Sequence, residues 1–160
     1  MIQETRHRIP EILARQPLFC GLDRHELELL AASTREFRVQ RNEMLFQKGD
    51  RPVGMHIVLL GQVKLVIPAS NGSEKVVHVA GPGATFGEAV VFLDKPYPVS
   101  AHATQDSLVL QVEKSGLIAA LEGSTLLCRK MLAGMSVRLH ELIDDMESCT
   151  LRSGVERVVH

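Results

Sequence analysis

The 160-residue sequence has no tryptophan, one tyrosine and only three cysteines, Cys20, Cys128 and Cys149. They are too sparse for a disulfide framework, no C-x-x-C occurs, and no known zinc spacing is met. An iron–sulfur cluster normally takes four thiolates, and only Cys20 lies near the N-terminus. No apolar run approaches the ~20 residues that span a bilayer, and the first ten residues hold no signal-peptide core. Net charge is lacking too. Eighteen Lys and Arg against nineteen Asp and Glu leave −1, so no overall field draws the chain onto nucleic acid or an anionic membrane. Nucleophile elbows, zinc-protease motifs, Walker loops and cupin-like His/Glu ligand spacings are all missing. These absences argue against an enzyme and leave a cytoplasmic globular chain of about one domain.

What is present is glycine at regular corners. From Leu45 to Glu88, short apolar strands alternate with Gly49, Gly61, Gly72, Gly81, Gly83 and Gly87. Glycine tolerates the positive φ of a sharp corner, so this pattern predicts a compact β roll rather than an α/β sheet. Strands are expected at 35–39, 44–46, 55–60, 62–67, 75–79, 100–103 and 108–112, with a hairpin turn at Asn71-Gly72. His56 and His78 read as surface residues on polar strand faces.

Helices flank the roll. Ile9, Ile12 and Leu13 mark a short helix over 8–16, stopped by Pro17. Asp23, with Glu26 three residues on, is an N-cap signal for a second helix carrying Leu27, Leu29 and Leu30. A short helix is expected at 115–121 and a long one from about Ser124 to Cys149. In the long helix Cys128, Leu132, Met135, Leu139, Leu142, Met146 and Cys149 step by four and three, as a dimer seam does. If two such helices run parallel, Cys128 and Cys149 lie near their symmetry mates and could form disulfides on oxidation. A second set, Leu127, Met131, Val137 and Ile143, is offset around the helix. One set is expected on the roll and the other on a partner. Arg138, Glu141, Asp144 and Asp145 read as polar flanks of the seam. Ser153 reads as the N-cap of a further helix, so a C-terminal domain is expected beyond the sequence.

This order, two helices, a glycine-cornered roll, F-G-E-A and then a long a/d helix, resembles the sensor half of Crp/Fnr-type transcription regulators. The segments F-G-E-A-V-V-F-L-D-K-P-Y-P-V-S-A and V-R-L-H-E-L-I-D-D-M-E are similar to the Dnr-type subgroup, the regulators of denitrification genes. The resemblance implies a mainly β fold with flanking helices: a jelly-roll (double-stranded β-helix, cyclic-nucleotide-binding-like) roll plus a dimerisation helix. It implies a sensing domain over 1–122, a dimerisation helix over 123–150 and the start of a helix-turn-helix DNA-binding domain over 151–160. The implied partners are a second copy, DNA and RNA polymerase, with no membrane.

By the same resemblance the effector pocket involves Phe86, Gly87, Glu88, Ala89, Val99 and Ser100. The arginine that holds the phosphate in cyclic-AMP-binding members falls on Pro98 or Val99, and neither side chain can neutralise an anion. Lys95 is nearby as a point charge. The cysteine pattern of iron–sulfur members is missing. Dnr-like regulators are thought to sense nitric oxide through haem, which needs an axial ligand. His7, His102 and His140 are the ligand candidates, and Cys20 reads as a small buried hydrophobe. Two readings stand beside the haem sensor: a cyclic-nucleotide regulator using Glu88, and a ligandless interaction module. Glu88 also has a purely structural reading, in which it only fixes its loop.

Overall fold

The computed structural model describes the backbone of residues 2–159 and the side chains of residues 8–148. In chain order the elements are α1 (Ile2–Arg15), α2 (Arg24–Ala32), β1 (Thr34–Val39), β2 (Met44–Phe46), β3 (Gly54–Leu60), β4 (Val63–Pro68), β5 (Glu74–Ala80) and β6 (Thr85–Phe86). They continue with α3 (Glu88–Leu93), β7 (Ser100–Ala103), β8 (Ser107–Glu113), α4 (Lys114–Gly123) and α5 (Thr125–Val159). The mainly β architecture with flanking helices and a long C-terminal helix matches the expected fold class.

Two antiparallel four-stranded sheets form the roll, one ordered β1-β8-β3-β6 and the other β2-β7-β4-β5. Their facing sides enclose Val39, Phe46, Val58, Val63, Leu65, Phe86, Ala101, Ala103 and Val109. The first sheet is buried on its other side as well. Met55, Ile57, Leu110 and Val112 pack there against Ile9, Leu13, Leu27, Leu30, Leu117, Leu127 and Met131 of the helices. A strand buried on both faces carries no polar face, and β3 is buried through its first five residues.

Several expected details shift. Helix α1 begins at Ile2 rather than at residue 8 and runs through Pro10. The Asp23 cap is in place: its side chain accepts the Glu26 amide at 2.7 Å. Leu29 is exposed while Leu27 and Leu30 are buried. At the Asn71-Gly72 hairpin only Gly72 has positive φ, and the Asn71 side chain accepts from the Ser73 amide. Gly81 is the one glycine of the corner series without positive φ. The expected new N-cap at Ser153 is replaced by unbroken helix, with α5 continuing 35 residues to Val159. Leu151, Arg152, Glu156 and Arg157 are helix-compatible, and one Ser-Gly pair among them does not stop a helix.

Candidate functional site

Gly87 ends β6 and starts α3 in the left-handed region, at φ 84°. This corner swings the Glu88 side chain off the roll and under α5. Glu88 is 8% exposed. A carboxylate buried to that degree needs a partner, and it has one: Arg138 of α5 donates from Nη1 to Glu88 Oε1 at 2.8 Å. The same guanidinium donates from Nη2 to the Thr85 carbonyl at 2.7 Å. One residue of α5 thus holds both the edge strand β6 and the first turn of α3.

Arg138 continues the inward stripe of α5. Leu127 and Met131 are buried in the helix-side core and Met135 packs on its edge. Arg138 follows at the next helical step. The sequence reading placed it as a seam flank. The available signal was the stripe itself: 127, 131, 135 and 138 share one face, and its fourth member is a cation.

His78 of β5 stands in the field of the same pair. Burial lowers its pKa, Arg138 lowers it further, and Glu88 and Glu141 oppose the shift. Its Nε2 is buried without a hydrogen-bond partner among the described residues. His78 is therefore not the exposed residue the strand pattern suggested. It pairs across the sheet with Leu65 and shares that residue's inward side. His56 departs further. It is 5% exposed, stacks on Phe86 with ring centres 5.0 Å apart, and burial pushes its pKa down to about 4.

A cleft of about 350 Å³ opens beside the ion pair, between the turn after α1 and the inner face of α5. Gln16, Glu88, Lys130, Met131, Met135 and Arg138 are among its lining residues. Lys130 bridges the cleft rim to the α1–α2 turn, donating to the carbonyls of Cys20 and Pro17.

Of the six residues expected around the effector, Glu88 alone lines this cleft. Phe86 is fully buried in the roll core and Gly87 supplies the corner. Ala89 is exposed on α3. Val99 packs on the roll core, and the Ser100 hydroxyl accepts the Lys48 amide at 2.9 Å. His102 lies on the outward side of β7, between inward-facing Ala101 and Ala103, with Nε2 3.9 Å from Glu74 Oε1. His140 is exposed on α5, with Nε2 3.5 Å from Asp144 Oδ2. The side chains of His7 and Cys149 lie outside the described residues. Cys20 is exposed rather than buried. Among the described residues no three His, Cys, Asp or Glu side chains converge as metal ligands, and no helix is long and apolar enough to cross a membrane.

The expected seam divides along its length. Cys128 is partly buried, and its thiol donates to the Leu121 carbonyl at 3.2 Å. Met135 is partly buried on its own subunit. Leu132, Leu139 and Leu142 are exposed, Leu132 by 65% and Leu139 by 60%. Met146 is exposed as well. The offset set divides too: Leu127 and Met131 are buried, Val137 and Ile143 are exposed.

The site is thus a two-sheet roll whose glycine-cornered acidic residue is gripped by a long C-terminal helix. Comparison with known proteins places it further: the chain belongs to the cyclic nucleotide-binding domain family, whose pattern matches residues 36–124. Within it, this is a Crp/Fnr-type sensor domain. It is 24% identical over 144 residues to the cyclic AMP receptor protein of Thermus thermophilus, covering 90% of this chain and 67% of that protein. In structure it resembles the sensor domain of the transcriptional regulator DNR from Pseudomonas aeruginosa, with TM-score 0.76, 28% identity, and coverage of 90% of this chain and 95% of that one. Against a longer DNR structure from the same organism the TM-score is 0.71 at 29% identity, with 88% of this chain and 63% of that one covered. A CRP-like cAMP-activated global transcriptional regulator of Mycobacterium tuberculosis is 24% identical over 81% of this chain. The chain spans only 58% of that relative's length.

Proposed function

We propose that this chain is the effector-sensing half of a dimeric, ligand-gated transcription regulator. Residues 1–122 receive the effector and α5 joins two copies along Leu132, Leu139 and Leu142. DNA and RNA polymerase are engaged by parts of the regulator outside this chain. The observation that carries the reading is the Arg138–Glu88 ion pair. It ties the helix that would form the seam to the roll corner where the family holds its effector, directly beside an open cleft. A ligand that competes for either partner changes how α5 sits on the roll. Such coupling requires the ligand to favour one arrangement over the other.

Two effectors follow from the family. A cyclic nucleotide needs a cation for its phosphate at the corner before β7, where this chain has exposed Pro98 and packed Val99. Haem, with nitric oxide as the sensed gas, needs an axial ligand facing an apolar slot. His102 and His140 both lie away from the cleft, each beside a carboxylate. The described residues do not fit a haem held by either histidine. The effector is accordingly best sought among ligands that the cleft itself selects.

Sedimentation of the purified chain tests the architecture. A dimer at micromolar concentration that Leu139→Asp with Leu142→Asp converts to a monomer supports it. A lone wild-type subunit at high micromolar loading sinks it and favours a ligandless interaction module. Calorimetry with cyclic AMP and cyclic GMP, and a Soret titration with haem before and after nitric oxide, test the two family effectors.

A further inference from the structure

The cleft beneath α5 holds two buried acceptors with nothing to accept from. Gln16 is 9% exposed and Glu88 is 8% exposed, and both line the cleft. Gln16 Oε1 and Glu88 Oε2 are buried and make no hydrogen bond among the described residues. Leaving a buried acceptor unsatisfied is costly, and two around one space point to an occupant that brings donors.

The two cations that line the cleft are engaged elsewhere. Arg138 is held by Glu88 Oε1 and the Thr85 carbonyl, and Lys130 by the carbonyls of Pro17 and Cys20. The Gln16 backbone is fixed as well. Its carbonyl accepts from Phe19 and Cys20, and its amide donates to Leu13. Space is kept open from the other side by Ala133 and Gly134 on α5; a Cβ added at Gly134 would meet nothing within 4 Å.

The remaining walls set the rest of the ligand. Leu18, Met131 and Met135 are apolar. Lys130 and Arg138 against one carboxylate make the rim net positive, which disfavours a cation. A volume of about 350 Å³ sits at the low end of small-molecule sites.

We propose that the cleft is a binding site for a compact, largely apolar, uncharged or singly anionic molecule carrying two O–H or N–H donors, which Gln16 Oε1 and Glu88 Oε2 accept. This names the ligand class for the sensor reading above and rests on that reading only for its consequence at α5. The binding itself depends on the cleft alone.

The test uses the intact chain with 2,3-dihydroxynaphthalene and, as a donorless match, 2,3-dimethoxynaphthalene, followed by calorimetry and amide chemical shifts. The diol binds with shifts at Gln16 and Glu88, and the ether binds about tenfold more weakly or less. Gln16→Leu removes one unpaired acceptor. It weakens the diol by about tenfold while raising the melting temperature of the free protein. Gln16→Met makes the same test if leucine is not tolerated. Equal binding of diol and ether, no binding of either, or a Gln16 variant with unchanged diol affinity overturns the proposal and assigns the two oxygens to water. Diol binding that leaves sedimentation unchanged upholds the site and sinks only its coupling to α5.

Discussion

Acid should loosen this protein through one imidazole. His56 sits on the inner side of β3, stacked on Phe86 and close to Phe46, with Nδ1 unpaired among the described residues. Burial alone lowers its pKa from 6.5 to about 4. In the unfolded chain the ring takes a proton near pH 6.5, while in the folded protein it stays neutral until about pH 4. Its contribution is therefore fully present above pH 6.5 and is lost as pH falls from there through the folded value. At about 1.4 kcal/mol for each pH unit of that window, the loss comes to about 3 kcal/mol. That is a large share of the ~5–15 kcal/mol that holds a domain of this size. Urea unfolding at a series of pH values from 7 to 4 measures it. Carboxylates and His78 titrate in the same direction or range, so the comparison is with His56→Phe, which keeps a flat ring on Phe86, and with His56→Leu. Both variants should show a flatter pH dependence than the parent by about 3 kcal/mol over the window. Parallel curves for parent and variants would refute the claim that His56 is held neutral by burial.

Arg138→Ala should cost about 2–3 kcal/mol in urea unfolding, because it strands the Glu88 carboxylate in a buried position. Adding Glu88→Gln to it should recover part of that loss, and no recovery would mean that the pair is not coupled. Asp23→Ala should cost about 1 kcal/mol by removing the acceptor of the Glu26 amide, read as a lower urea midpoint. Gly54→Ala should be far worse. A Cβ there would lie 1.9 Å from the Val112 carbonyl oxygen, so β3 and β8 must separate, and a loss of at least about 3 kcal/mol or failure to fold is expected in thermal melts.

Every strand but β6 was legible because each is bounded by a turn residue and carries its own alternation. Element β2 and β7 fall where the sequence puts them, to the residue. Two kinds of feature were not legible. Elements β6 and α3 are two and six residues long, too short for any period to register. The others depend on what lies across from a residue. His56 alternates correctly with its neighbours, but the sheet it belongs to is covered on both sides, so the side read as polar is a core. Arg138 and Glu88 are fifty positions apart, and their pairing exists only once α5 lies over the corner at Gly87. The cleft follows the same logic. Gln16 closes α1 in sequence terms and shows its unpaired oxygen only when the α1–α2 turn meets α5.

That placement decides what a small motion at Glu88 can do. Helix α5 is fixed to the body by Leu127 and Met131, both buried, and then by Arg138. From Glu141 to Ser148 every described side chain is exposed. At ~1.5 Å per residue, Arg138 lies ~10 Å beyond the Met131 anchor and Val159 ~42 Å beyond it. A straight helix pivoting at Met131 therefore multiplies any displacement at Arg138 about fourfold by Val159. A ligand that drew Arg138 sideways by ~1 Å would carry the far end by ~4 Å, within the range of helix shifts that switch subunit interfaces. The buried pair suits this role better than an apolar contact at the same place. A lost methyl contact weakens gradually, whereas a carboxylate at 8% exposure must stay paired to Arg138 or find another donor. Spin labels at Val137 and Ser148 of the two copies, read by distance, should show one shift on ligand addition in the parent chain and none in Arg138→Ala; an equal shift in both would remove the ion pair from the mechanism.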